Sequence, residues 1–249
     1  MHFCEVSMRK VCVLAVAAFV IGVLAPLGAV AQPVGGVGVK LGTLGIGVQG
    51  AVSPAPRVAV RGGVNFFSYS HSFDRDGTTW DGTLKLQSIE ANVDLFIAGG
   101  FRFSPGLLLH NNNHIDAVLT VPGGSQFSLG GTTYASQAGN PIGGTGLLDF
   151  KKVAPILGFG FGNMAPRGNR HVTVGGDFGL VFEDRPNVSF TLTGNGCIVS
   201  NGATTSNCAP INSIPGVPAN IESERAKVAD SLKVLRYYPV LSFGIGYRF

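Results

Sequence analysis

The stretch SIEANVDLFI, residues 88–97, places Ile89, Ala91, Val93, Leu95 and Ile97 on one face and Ser88, Glu90, Asn92 and Asp94 on the other. A repeat of two is the geometry of an extended strand; a helix would scatter these residues around its axis. The pattern recurs along the chain. In RVAVRGGVNFF, Val58, Val60, Val64 and Phe66 oppose Ala59, Arg61, Gly63 and Asn65. FRFSPGLLLH, VAPILGFGFG and HVTVGGDFGLVFE repeat it, the last with Asp177 on its polar face. The chain ends on it too, with Leu241, Phe243, Ile245, Tyr247 and Phe249 against Ser242, Gly244, Gly246 and Arg248.

A soluble β-sandwich also alternates, but its outer faces carry many Lys and Glu. Here one face of each strand is almost purely aliphatic and aromatic, and the other is glycine-rich with scattered charge. Charged residues make up 13% of the chain and hydrophobic ones 45%. Mean hydropathy is positive, yet beyond residue 31 no apolar run approaches the ~20 residues of a membrane helix. The arrangement that satisfies these facts together is an all-β transmembrane antiparallel up-and-down barrel, apolar face to lipid and polar face to the lumen.

The N-terminus supplies an address. Arg9 and Lys10 precede the apolar run of residues 11–25, Pro26 and Gly28 break it, and Ala29, Val30 and Ala31 offer small residues for cleavage. Residues 1–31 read as a secretory signal peptide and residues 32–249 as the barrel. The mature part carries 16 basic and 13 acidic residues. That balance is too mild for a nucleic-acid partner. Its two cysteines, Cys197 and Cys208, suggest a disulfide, as expected of an even number in an exported chain.

The strand count turns on VGGVGVKLGTLGIGVQGAV, where the apolar phase slips near residues 42–43. One bulged strand gives seven in all; a tight turn gives eight, with both termini at one end. Single-chain bacterial barrels have even numbers, so eight is chosen. Short connections (residues 53–57, 98–100 and 165–170) alternate with longer ones (74–82, 120–148 and 186–233). The second long loop holds a hairpin, SQFSLGGTTYAS. The last holds both cysteines and a short helix capped by Asn220, with Ile221, Val228, Leu232 and Leu235 as a weak stripe toward the barrel rim.

Lumen charges are the main candidates for a site. Arg61, Asp94, Arg102 and Arg248 fall near short turns or the terminus, hence near one level; Glu90, Asn65 and Asp177 fall about a layer higher. An eight-stranded lumen is just wide enough for side chains, and charges inside it must pair. The expectation is a plug in which Arg61 and Arg102 meet Asp94 and Glu90. His110 and His114 share a strand face about 13 Å apart at ~3.3 Å per residue, a polar rim rather than a metal site. No G-x-S-x-G occurs, and no helix or lysine follows the GVGVKLG and GFGFGN glycines as a phosphate loop requires. No enzyme, cofactor or metal is expected. Tyr237, Tyr238 and Tyr247 at the last strand, and Phe66, Phe67 and Tyr69 on another, suggest interfacial girdles.

The signal peptide, the strands and the terminal YRF resemble the small outer-membrane β-barrels of Gram-negative bacteria, the OmpA/OmpX/OmpW-type superfamily. GVKLGTLGIGV, VRGGVNFFSYS and VAPILGFGFGN resemble an uncharacterised set of outer-membrane barrel proteins. The resemblance implies a location in the outer membrane and outer-membrane lipids as surroundings. It also implies recognition of the terminal Phe249, with Tyr247, by the barrel assembly machinery. It supplies no activity. The expected role is structural or surface-interaction, as a monomer. A narrow channel for a small or hydrophobic solute is the alternative, and a rim-sited lipid-modifying enzyme a remote one.

Overall fold

A computed structural model describes residues 34–75, 78–166, 171–200 and 202–249. The signal peptide lies outside the described residues. The phase slip resolves as a turn: β1 (Val34–Gly42) and β2 (Gly45–Ala55) are separate strands joined at Thr43 and Leu44. Gly45 leaves that turn with φ 103°, a left-handed conformation that glycine adopts without a Cβ penalty. Then come β3 (Val58–Arg75), β4 (Thr78–Ala98), β5 (Phe101–Asn111), β10 (Ala154–Phe161), β11 (Val172–Phe182) and β15 (Tyr237–Arg248). These eight pair antiparallel in chain order, and β1 meets β15 to close the ring.

The pairing register is staggered around the ring. Gly62 leads through Gly50, Val37 and Tyr247 to Val172. In the other direction its neighbour Arg61 leads through Asn92, Gly106 and Ile156 to Val181. The circuit is thus displaced by about ten residues, the stagger that tilted strands need to close.

The ring has two unlike ends. One carries the C-terminus, Val34 and the turns at Pro56–Arg57 and Gly99–Gly100 (the terminal end). The other carries two long excursions. Between β5 and β10 lie β6 (His114–Val121), β7 (Gln126–Leu129), β8 (Thr132–Ser136) and β9 (Ile142–Asp149). Between β11 and β15 lie β12 (Asn187–Thr193), β13 (Asn195–Ser200), β14 (Ala203–Pro210) and α1 (Val217–Ser231).

The long connections are more structured than their sequence suggests. β3 and β4 stay paired far beyond the ring, from Val58↔Leu95 to Arg75↔Thr78. Most of the connection expected at residues 74–82 is therefore strand. There β4 exchanges β5 for β6, and β9 and β12 extend the sheet. A second sheet, in the order β14-β13-β8-β7, packs against it. Leu119, Val121, Leu129, Tyr134, Ile142, Leu192, Ile211, Ile214 and Val217 form the core between them. The excursions thus build a folded cap.

Polarity inverts where the barrel becomes cap. In the ring, outward residues are apolar and exposed: Val174 at 67% and Phe243 at 68%. So much exposed apolar surface is stable only against lipid. On β3 the face that carries Val60, Val64 and Phe66 continues as Ser68, Ser70 and Ser72, while the face that carries Arg61, Gly63 and Asn65 continues as Phe67, Tyr69 and Phe73, all three exposed. The consecutive Phe66 and Phe67 mark the change, and with it the upper limit of the lipid belt. Of the expected girdle, Phe66, Phe67 and Tyr69 are all exposed, with Phe66 on the face opposite to Phe67 and Tyr69. Tyr237 and Tyr247 are exposed, whereas Tyr238 turns inward and packs on buried lumen residues.

The helix begins earlier than expected. Gly216, at φ 88°, is its N-cap, and Pro218 lies in its first turn. Proline suits that position because the first helical N–H groups lack intrahelical partners. Asn220 instead lies within the helix and donates to the Tyr134 hydroxyl at 3.2 Å. Ile221 packs on the cap core, not on the barrel rim, since the helix lies against β12 and β7.

Candidate functional site

Inside the ring, alternate residues of every strand converge. Nearest the terminal end is an ionic cluster. Arg61 donates to Asp177 through Nη1 at 2.8 Å and Nη2 at 2.9 Å, and to Asp94 at 3.1 Å. Arg102 reaches Asp177 at 2.6 Å and Asp94 at 3.3 Å. Ser104 donates to Asp94 at 2.7 Å, Ser242 to Asp177 at 3.2 Å, and Arg61 to Gln49 at 3.3 Å. The Nε of both Arg61 and Arg102 is buried without a hydrogen-bond partner among the described residues, but the two guanidinium groups share two carboxylates, each of which also accepts from a hydroxyl. This is the condition under which buried charge is tolerated.

The partners differ from expectation in two respects. Asp177 is level with Arg61 and Arg102, not a layer above them. Residues counted from a turn give height on one strand only, and the stagger shifts that count between strands far apart in the ring. Glu90 pairs with Lys40 instead, both nearly fully buried. Lys40 is the residue the sequence reading missed. Its parity with Gly36 and Gly38 on β1, between the outward Val39 and Leu41, places it in the lumen.

Two further groups of residues enter the lumen, one on each side of the cluster. At the terminal end the connection after β10 folds inward, and Arg102 donates to the Phe161 carbonyl at 2.8 Å and to that of Gly162. Met164 crosses to β1: a Cβ on Gly36 would sit 2.3 Å from its carbonyl oxygen, and one on Gly38 3.1 Å from its terminal methyl. Those glycines leave the space that Met164 fills. Toward the cap, Leu44, Leu108, Ala154, Ile156, Val181 and Val240 form an apolar layer, with Tyr238 donating to the Thr43 carbonyl at 2.6 Å. Two cavities beside the ionic cluster measure about 20 and 30 Å³, room for one or two waters each.

At the cap-end mouth, just beyond β11, Glu183 accepts from Asn111 at 2.7 Å, while its other carboxyl oxygen is buried without a partner among the described residues. Burial pushes its pKa up to about 7, with Asp184 adding to the rise and Asn111 and Lys151 opposing it. The unfolded carboxyl titrates near 4.5, so the folded state holds the proton more tightly. Below that value both states are protonated and the group is neutral to stability. Stability then falls as pH rises toward 7, and the full penalty is present above it. Glu183→Gln is expected to raise stability at pH 8 by about 1 kcal/mol, discounted for water at the mouth. It should change little at pH 4, as read from urea midpoints at the two pH values.

The other residues singled out in the sequence lie apart from this cluster. Arg248, at the terminal end, is half-buried, with its Nε and Nη1 unpartnered among the described residues. Tyr247 faces outward, stacked on His171 at 5.7 Å. Phe249 is exposed, and its N–H donates to the Gly35 carbonyl at 3.2 Å. His110 and His114 stand on either side of a break at Asn112 and Asn113, and His114 lies 3.4 Å from Asp116.

Cys197 and Cys208 are directly opposed in the β13–β14 pair and form a disulfide. Their sequence separation is 11, a loop whose closure is worth about 2–3 kcal/mol. Replacing both with serine should make the cap open more often, read as faster protease nicking within residues 187–210 while the ring keeps its folded gel mobility.

No family model matches the chain, and no curated protein matches it in sequence. Solved structures do match in fold. CarO from Acinetobacter baumannii superposes with a TM-score of 0.52 at 20% identity, covering 88% of this chain and 98% of its own. CarO2 from the same organism gives 0.53 at 22%, covering 88% and 100%. A major outer membrane protein from Thermus thermophilus also spans 88% of the chain, but its TM-score of 0.35 at 13% identity is too loose to bear on it. At these identities the likeness to the two Acinetobacter proteins is one of fold, that of an outer-membrane β-barrel.

Proposed function

We propose that the protein is an outer-membrane β-barrel of a Gram-negative bacterium in which the ring is an anchor and the cap is the working part. The observation that carries this reading is the filled lumen. Three cations, Lys40, Arg61 and Arg102, are balanced by Glu90, Asp94 and Asp177. The apolar layer closes one side of them and Met164 the other. A wall so occupied holds strands in place rather than passing a solute. The cap has a core and a disulfide of its own, which suits a structural or surface-interaction role without catalysis.

Outer-membrane lipids surround the belt below Phe66, and the protein is a monomer in them. The terminal Phe249, next to Tyr247 at the closing seam, serves the barrel assembly machinery. Deleting Phe249 is expected to cut the amount assembled severalfold, measured as the heat-modifiable band in the outer-membrane fraction. Unchanged assembly would remove that role. The functional reading itself is tested by protease treatment of whole cells. Cleavage confined to the cap, with a protected ring, is the expected result; full protection of the cap would place it on the wrong side of the membrane.

A further inference from the structure

The cap and the ring are joined unevenly. On one side β3 and β4 run from ring into cap as an uninterrupted pair, Val58↔Leu95 to Arg75↔Thr78. Beyond β4 the cap strands follow in the order β6, β9 and β12, as β5, β10 and β11 do in the ring. There every connection is broken. β5 gives way to β6 at Asn112 and Asn113, β9 to β10 over residues 150–153, and β11 to β12 over residues 183–186. A continuous hairpin beside three breaks is the geometry of a hinge and a seam.

Glu183 lies in the break farthest from the hinge and is 9% exposed. Its N–H donates to the Arg236 carbonyl at 2.8 Å, on the segment that returns from the cap to β15. Its Oε1 accepts from Asn111 at 2.7 Å. The Asn111 N–H in turn donates to the Lys152 carbonyl at 2.8 Å. The crossings of the seam are thus tied together at this one carboxyl, whose Oε2 is buried and meets no donor among the described residues. As a carboxylic acid the group is neutral and fits. As a carboxylate it is a buried charge with one hydrogen bond, which only entering water can relieve.

The charges around it leave it without a cation of its own. Asp184 on its own strand and Lys151 before β10 act on it in opposite senses, and they pair with each other at 3.0 Å. Lys152 donates to Asn112 at 3.0 Å, while Arg185 and Arg236 are exposed. Asp149 ends β9 opposite His114 and Asn187. His114 lies 3.4 Å from Asp116, and Tyr238 on β15 donates to the Thr43 carbonyl.

We propose that Glu183 is a proton-operated latch between cap and ring. Protonated, it keeps the seam shut; ionised, it lets water part the seam while the β3–β4 hairpin holds as the hinge. The closed seam binds the proton more tightly than the open one, because burial raises the pKa to about 7 and water would return it toward 4.5. Closure is therefore firmest in acid, weakens as pH rises toward 7, and levels off above it.

The test is amide hydrogen exchange of the full chain in detergent at pH 5 and pH 8, each rate divided by the intrinsic exchange rate at that pH. In the wild type, protection across residues 110–116 and 181–188 should fall on the order of tenfold at the higher pH, discounted for water at the mouth. The cap core around Ile142 and Leu192 and the β3–β4 hairpin should hold theirs. Glu183→Gln, neutral at both values, should stay as protected at pH 8 as the wild type is at pH 5. Lys151→Gln/Asp184→Asn should keep the pH step. Equal wild-type protection at the two pH values would overturn the latch without recourse to any variant. A step that survives Glu183→Gln would also overturn it and pass the titration to His114. A loss spread through the cap core and the hairpin would mean that the cap unfolds rather than lifts, which contradicts a seam.

Discussion

Asp177→Ala is expected to lower the stability of the folded ring by about 3–5 kcal/mol, among the largest effects of any single substitution in the lumen. Asp177 holds Arg61 with two hydrogen bonds, Arg102 with one and Ser242 with one. Removing it leaves two buried guanidinium groups to share Asp94. The cost comes from charge left without its partner, more than from the bonds themselves. Adding Arg61→Leu to the same chain removes one of the stranded charges and should recover part of the loss. The measurement is the urea midpoint of folded-to-unfolded gel mobility for wild type, the single variant and the double variant. A double variant less stable than the single would mean that Arg61 contributes mainly by packing.

The second large effect is expected in the cap and should leave the ring untouched. Ile142 is fully buried in the cap core, and that core shares no residue with the apolar layer of the lumen. Ile142→Asp would bury a carboxylate with no cation in reach, a cost of several kcal/mol that the cap cannot offset. The cap should then be cleaved rapidly by protease, while the heat-modifiable mobility of the ring persists. Loss of both together would show that the cap and the ring fold as one unit. The β3–β4 hairpin makes the result informative, because its strands run without interruption from the ring into the cap.

Much of the ring was legible in the sequence because lipid imposes a simple rule. Every outward position must be apolar, so alternation survives along the whole strand, and the six strands first recognised all lie in the closed ring. The turn at Thr43 and Leu44 was legible as a phase slip. Arg61, Asp94, Arg102 and Asp177 were legible as lumen residues by parity, but which of them meet was not. Pairing depends on stagger, and stagger is a property of the closed ring. Lys40 was legible by the same parity, between Val39 and Leu41, but its partner Glu90 was not, because that pairing too depends on stagger.

The cap was hidden by the same physics that exposed the ring. Beyond Phe66 the outward side meets water, so the hydrophobic phase inverts, and Tyr69, His71 and Phe73 alternate with serines in the opposite sense. Read with the ring's phase, that segment looks like a girdle. Read with its own, it is an exposed aromatic row, Tyr69, His71 and Phe73, that runs on to Trp80 at the cap core. The long loops showed their hairpin, their cysteines and their helix one by one. Their assembly into two packed sheets depends on contacts between segments about sixty residues apart, such as Gly196↔Ser136 in the β13–β8 pair. No local pattern records those contacts.

The most direct test of the filled lumen is electrical. On the reading proposed above, in which the ionic cluster, Met164 and the apolar layer fill the lumen, purified protein inserted into planar bilayers should give no steady single-channel current across a range of voltages. Asp177→Ala, which loosens the cluster, should if anything introduce brief openings. Stable, reproducible conductance steps from the wild-type protein would contradict the account, and would make the ring a pore with the cap as its cover.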